Sequence, residues 1–316
     1  MHNVRKVKTS EDKQRERLEQ SKKKATEYIQ LKDLFIQTRE KEDYSMEALK
    51  LTSKLLNATA DSYSLWNYRK KILLSLNETC PEARAERDKE ELKWLESLLP
   101  VHPKSYWIWF HRKWIMMLSL TSHPQDQINW ERELTLCTKA LDADQRNFHC
   151  WNYRRFVANQ LKVELNEELK YTLSKINQNF SNYSAWHQRS YLLQKIYLSD
   201  PSKFIHVLNN ELDLVQNAFY TSPEDQSTWF YYRWLIGMFK KHNPDHFQEL
   251  VTEELQKVNE LLEEEPNSKW VILTTVFLMK EIQNSDVNVI KERIVKLQNI
   301  DQQRQNYYKD LLVKQF

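Results

Sequence analysis

Residues 66–70 read WNYRK, and the same order of residues returns as WFHRK at 109–113, WNYRR at 151–155, WHQRS at 186–190 and WFYYR at 229–233. The tryptophans are 43, 42, 35 and 43 residues apart. Four have arginine three positions on (Arg69, Arg112, Arg154, Arg189), whereas the fifth has Tyr232 there and Arg233 one place later. A worn copy without arginine surrounds Trp270. Self-similarity at periods of this length predicts a stacked solenoid, in which each unit buries its apolar face against its neighbours.

Upstream of the five anchors, a leucine stands 17 residues before each (Leu49, Leu92, Leu134, Leu169, Leu212) and an apolar residue 10 before (Leu56, Leu99, Leu141, Ile176, Phe219). Seven residues are two helical turns, so both side chains share one face of a first helix. Glu91, Glu133, Glu168 and Glu211 immediately precede four of the leucines. A polar break such as HPKSY (102–106) or SPEDQS (222–227) follows, and a second helix opens near the tryptophan. The expected fold is therefore all-α, a right-handed α-α superhelix of helical hairpins. Residues 1–44 read as a basic N-terminal arm and charged helix, and 45–316 as one solenoid of about six hairpins. The charged helix should run from about Ser10 to Lys41, with Tyr28, Leu31, Leu34 and Phe35 buried.

Composition supports this reading. Gly237 is the one glycine in 316 residues, which argues against tight-turn β architectures and glycine-rich nucleotide loops. All eight prolines fall between helical patterns, where a missing N–H costs little. The net charge of +3 points to no nucleic-acid partner. Cys80, Cys137 and Cys150 lack paired spacing and suggest reduced thiols in the cytoplasm. No apolar run reaches the length of a membrane span, and the N-terminus lacks a signal-peptide core. The first 24 residues carry nine Lys or Arg against four acids. Such an arm is either a solvated helix end or a contact for membranes or acidic partners.

The tryptophans read as wedges between hairpins. The arginines three residues on either pair with an acid of the neighbouring repeat or line a functional surface. Lys104 and Arg146 stand five residues before their anchors; Lys104 is followed by Tyr106, and Arg146 by Asn147, Phe148 and His149. A row of such loops offers cations, aromatic rings and hydrogen-bond donors, which is either ordinary loop polarity or a surface for an anionic, partly apolar ligand. No self-contained catalytic motif or zinc-ligand spacing is present in the sequence. Any chemistry served by this chain is expected to need a metal and a nucleophile from elsewhere.

The stretches PKSYWIWFHR, RNFHCWNYRRFVA, NFSNYSAWHQRS and ELDLVQNAFYTSPEDQSTWFYYRWLIG resemble the α subunits of protein prenyltransferases. The likeness is strongest to those of the Rab, or type II, geranylgeranyltransferases; it is dense to about residue 240 and fades after Trp270. It implies a transferase subunit, inactive alone, wrapped around a β subunit that holds the zinc and most of the lipid pocket. The implied reaction moves a geranylgeranyl group from geranylgeranyl diphosphate to C-terminal cysteines of Rab GTPases, proteins of vesicular transport, presented by a Rab escort protein. Lys104 matches a lysine aimed at the diphosphate, and Tyr106 its neighbouring tyrosine. Arg146, Asn147, Phe148 and His149 match a cluster facing the β-subunit active site. Trp107 stands where farnesyltransferase-type α subunits have a glutamine that binds a CaaX carboxylate. The Met-His start is shared too, which makes His2 a candidate ligand to the partner's zinc. Some relatives carry immunoglobulin-like and leucine-rich domains, and this chain is expected to be the compact form. Two alternatives stay open: the α subunit shared by farnesyltransferase and type I geranylgeranyltransferase, and a TPR-like scaffold. The 42–43-residue period argues against the latter.

Overall fold

The computed structural model describes residues 11–121 and 129–315, and these are helical wherever they are regular. Fifteen α-helices occur among the described residues. The first seven are α1 (Glu11–Glu40), α2 (Met46–Ala58), α3 (Tyr63–Thr79), α4 (Arg84–Leu98), α5 (Tyr106–Leu120), α6 (Trp130–Ala143) and α7 (Phe148–Leu161). They form one compact unit, whose chain runs to Ala143 and resumes at Asn147–Leu161. The second unit comprises Asp144–Arg146 and everything from Lys162 on. It contains α8 (Leu165–Gln178), α9 (Tyr183–Tyr197), α10 (Pro201–Thr221), α11 (Gln226–His242), α12 (Phe247–Glu264), α13 (Lys269–Glu281), α14 (Val287–Ile300) and α15 (Gln305–Gln315). Successive helices pair as hairpins from α2–α3 onward, and a final hairpin, α14–α15, follows without a tryptophan anchor.

Local chemistry sets the second helix of each hairpin. It opens three residues before the tryptophan in five repeats, after a capping-type residue: Ser62, Ser105, Asn147, Asn182 or Asp225. The Asn182 side chain accepts from the Ala185 N–H at 3.2 Å, and Asp225 accepts from Ser227 N–H at 2.7 Å. The indole then turns back on the preceding loop. Nε1 of Trp66, Trp109, Trp186 and Trp229 donates to the carbonyl six residues earlier, at 2.7, 3.0, 2.7 and 2.8 Å. The buried ring therefore seals the hairpin core and fixes the loop at the same time.

The arginines belong to the core. Arg69, at 2% exposure, grips Glu91 of the next hairpin through Nε to Oε1 at 2.7 Å and Nη2 to Oε2 at 2.5 Å. Arg112 grips Glu133 at 2.6 and 2.5 Å, and Arg189 grips Glu211 at 2.7 and 2.6 Å, through the same two nitrogens. Each arginine also donates Nη1 to a carbonyl of its own first helix: Leu49, Leu92 or Leu169. The residue two past the tryptophan shares the acid: His111 Nε2 meets Glu91 at 2.9 Å, Tyr153 OH meets Glu133 at 2.7 Å, and Tyr231 OH meets Glu211 at 2.7 Å. These rungs decide between the two readings of the arginines in favour of pairing between repeats. Where Tyr232 replaces arginine, its hydroxyl donates to Glu254 at 2.9 Å, so the rung survives in neutral form.

Helix α1 departs from expectation at one position. Phe35 is buried and Tyr28 and Leu31 half-buried, but Leu34 is 50% exposed. The packed stripe runs 28, 31, 35, 38, a spacing of three and four that turns residue 34 outward.

Candidate functional site

The turn between α4 and α5 carries Lys104, and α5 opens on Tyr106. Both side chains are exposed, Tyr106 at 48%. Its ring stacks on Phe110 at 5.5 Å and meets Trp107 and His149 edge-on at 5.0 and 5.9 Å. Phe148, the first residue of α7, is exposed at 59% and lies 4.0 Å from the His149 ring. With Tyr63 opening α3, three successive second helices of the first unit start on an exposed aromatic ring.

The turn is fixed from both sides. Toward the first repeat, Ser105 Oγ donates to Asp61 Oδ1 at 2.6 Å. Toward the third, Asn147 Nδ2 donates to the Pro103 carbonyl at 2.7 Å, and the same carbonyl accepts from Trp109 Nε1 at 3.0 Å. His149 hydrogen-bonds to the backbone of Lys104. Burial holds the His149 imidazole below its usual range, opposed by the Asp61 carboxylate and by that backbone bond. A neutral ring therefore sits beside the lysine, and Lys104 does not compete with an imidazolium for an anion.

Between α5 and α7 runs a groove of about 420 Å³ lined by Tyr106, Phe110, Trp114, Met117 and His149, with Lys113 at its wall. Lys70 of α3 lies over the Phe110 ring at 4.4 Å, and burial pushes its ammonium down. The surface joins aromatic walls to an exposed cation held on a braced turn. Chemically, that suits an anionic headgroup joined to an apolar chain.

Lys104, Tyr106, Asn147, Phe148 and His149 are thus brought together, but not in equal roles. Asn147 is buried at 2%, with Oδ1 accepting from the Cys150 N–H at 3.1 Å. It is a helix cap and a brace, and its amide faces the protein. Arg146, in the second unit, is exposed, and its N–H donates to Asp144 Oδ1 at 3.3 Å. His2 lies outside the described residues. Asp61 and Ser105 were not among the sequence candidates; Ser105 shares its capping position with Asn147 and Asn182, which is the signal that marks it. Among the described residues no three His, Cys, Asp or Glu side chains are grouped so as to hold a metal ion. Nor, among them, is any helix long and apolar enough to cross a membrane.

Five stretches, 45–76, 88–119, 130–161, 165–196 and 208–239, match the pattern of the protein prenyltransferase alpha subunit repeat. The geranylgeranyl transferase type-2 subunit alpha of Dictyostelium discoideum is 40% identical over 316 residues, covering 99% of this chain and 100% of the relative. Its counterpart in Schizosaccharomyces pombe is 35% identical, over 99% of this chain and 98% of the relative. That of Rattus norvegicus is 46% identical over 77% of this chain but only 43% of its own length. The aligned chain thus spans less than half of the rat relative. In fold, the chain resembles Candida albicans protein geranylgeranyltransferase-I complexed with GGPP, with a TM-score of 0.70 over 99% of this chain and 95% of that one, at 21% identity.

Proposed function

The chain belongs to the family of geranylgeranyl transferase type-2 α subunits, and from that premise we propose that it serves in a cytoplasmic heterodimer that prenylates Rab GTPases. The β subunit supplies the zinc and most of the lipid pocket. The substrates are geranylgeranyl diphosphate and the C-terminal cysteines of a Rab GTPase, brought by a Rab escort protein. Residues 45–316 act as a single solenoid in this assembly.

The observation that carries the reading is the braced turn that presents Lys104 and Tyr106 together. Negative charge on the diphosphate grows as its carbon–oxygen bond breaks. A cation already held in place stabilises that charge without reorganisation at the moment of reaction. Lys104 supplies the cation, and the Tyr106 hydroxyl donates a weaker, neutral hydrogen bond. Arg146, Phe148 and His149 face the β-subunit active site, and Asn147 holds their turn. Trp107, packed at 4.9 Å from Tyr63, has no amide with which to read a CaaX carboxylate, so selectivity rests on the escort protein. His2, on the basic arm, is a ligand to the partner's zinc in the substrate-free enzyme.

Co-expression with a candidate β subunit tests this reading. Zinc and geranylgeranyl transfer to a Rab–escort complex should appear only in the heterodimer. Transfer by the purified single chain, or stoichiometric zinc bound to it, contradicts it.

A further inference from the structure

Beside the arginine–glutamate rungs runs a second set of contacts between successive second helices. Four residues after its tryptophan, each of three repeats sets a cation over a ring of the next second helix. Lys70 Nζ lies 4.4 Å from the centre of the Phe110 ring and 5.3 Å from that of Trp114. Lys113 Nζ lies 4.8 Å from Phe156, and the Arg233 guanidinium 5.4 Å from Phe277. Unlike Arg69 beside it, Lys70 has no carboxylate: burial is the sole influence on its ammonium and lowers its pKa. The two rings of α5 replace part of the hydration that this half-buried cation has lost.

In the first of these contacts the ring leads into the candidate site. Phe110 is stacked on Tyr106, with centres 5.5 Å apart and planes at 17°. Tyr106 is the first residue of α5 and 48% exposed, so the helix alone does not confine its side chain to one rotamer. Phe110, four residues on and therefore on the same face, is its platform. That platform is itself exposed, and from α3 the Lys70 ammonium bears on it. Lys70, Phe110 and Tyr106 thus join the first repeat to the hydroxyl of the second.

We infer that Lys70 is a positioning residue for the transfer reaction: by its hold on the Phe110 ring it keeps the Tyr106 ring stacked, and so keeps the hydroxyl where it meets the departing diphosphate. The inference rests on the role proposed above for Tyr106. Lys70 touches no reacting atom. Its charge matters because an ammonium is drawn to the negative face of a ring, whereas an uncharged chain of the same length only lies against it.

Lys70→Met, which keeps the length and loses the charge, and Lys70→Arg, which keeps the charge, are each placed in the wild-type chain and in Tyr106→Phe, and assembled with the β subunit. Single-turnover transfer to a Rab–escort complex and geranylgeranyl diphosphate affinity are measured, with heterodimer affinity and thermal unfolding as controls. Lys70→Met should slow transfer about fivefold in the wild-type chain, with lipid affinity little changed. In Tyr106→Phe the same substitution should cost nothing further, since no hydroxyl is left to position. Lys70→Arg should restore most of the rate. An equal loss in both backgrounds, an unchanged rate, or a loss confined to heterodimer affinity overturns the inference and leaves the Tyr106 assignment standing. A wild-type rate for Tyr106→Phe overturns that assignment and the inference with it.

Discussion

Asn147 and Pro103 stand 44 residues apart and meet through one hydrogen bond, the Asn147 amide donating to the Pro103 carbonyl at 2.7 Å. The bond ties the loop that opens α7 to the loop that carries Lys104. Position in the solenoid is thereby converted into the placement of a single cation, and the stacking of hairpins bears directly on the proposed chemistry.

Asn147→Ala should show both sides of that connection. It removes a helix cap, for about 1–2 kcal/mol of stability. Pro103 keeps its bond from Trp109, so the fold survives. Single-turnover transfer by the heterodimer should slow, while lipid binding changes less. Thermal unfolding and single-turnover kinetics on the same preparation separate the two effects.

The rungs differ in what they can lose. Arg112→Ala leaves the Glu133 carboxylate buried beside the Tyr153 hydroxyl and without its guanidinium, and should cost about 3–5 kcal/mol. Tyr232→Phe leaves Glu254 with Gln216 and Lys257, and should cost only about 1 kcal/mol. Urea unfolding of the two variants would show whether the neutral rung is the weaker one.

Acid should open the ladder at Glu91. Burial alone would raise its pKa, but the Arg69 guanidinium and the His111 hydrogen bond overcome that and bring it from 4.5 to about 2. Because Glu91 accepts only, His111 donates from Nε2 and is neutral, its own pKa lowered chiefly by burial. A carboxyl whose folded pKa lies below its unfolded value stabilises the fold fully above the unfolded pKa. That stabilisation, about 3 kcal/mol here, is lost as the pH falls toward 2. The melting temperature should therefore drop between about pH 5 and pH 2. Glu91→Gln should start lower and fall less steeply across the same window.

Much of this architecture is legible in the chain itself. The tryptophan spacing predicts the hairpins, and the arginine and the glutamate before each leucine are both visible as repeats. That Arg69 reaches Glu91 rather than another acid follows only from how consecutive hairpins stack, which no local pattern encodes. Asn147 reads as a site residue because it adjoins Phe148 and His149; its capping position, shared with Asn182, explains why its amide turns inward instead. The α14–α15 hairpin has no tryptophan, so the strongest repeat signal is silent there. Asp61 bears on the Lys104 turn through Ser105, a contact between repeats that spacing alone does not reveal.

The central claim is that Lys104 acts on the departing diphosphate, and Lys104→Ala in the assembled heterodimer tests it most directly. Single-turnover rate and geranylgeranyl diphosphate affinity are measured together, with Tyr106→Phe alongside. Loss of one charge-stabilising contact should cost about 2–4 kcal/mol of barrier, roughly a hundredfold or somewhat more in rate, with a smaller change in lipid affinity and a milder effect for Tyr106→Phe. A wild-type single-turnover rate for Lys104→Ala in an intact heterodimer would contradict the account.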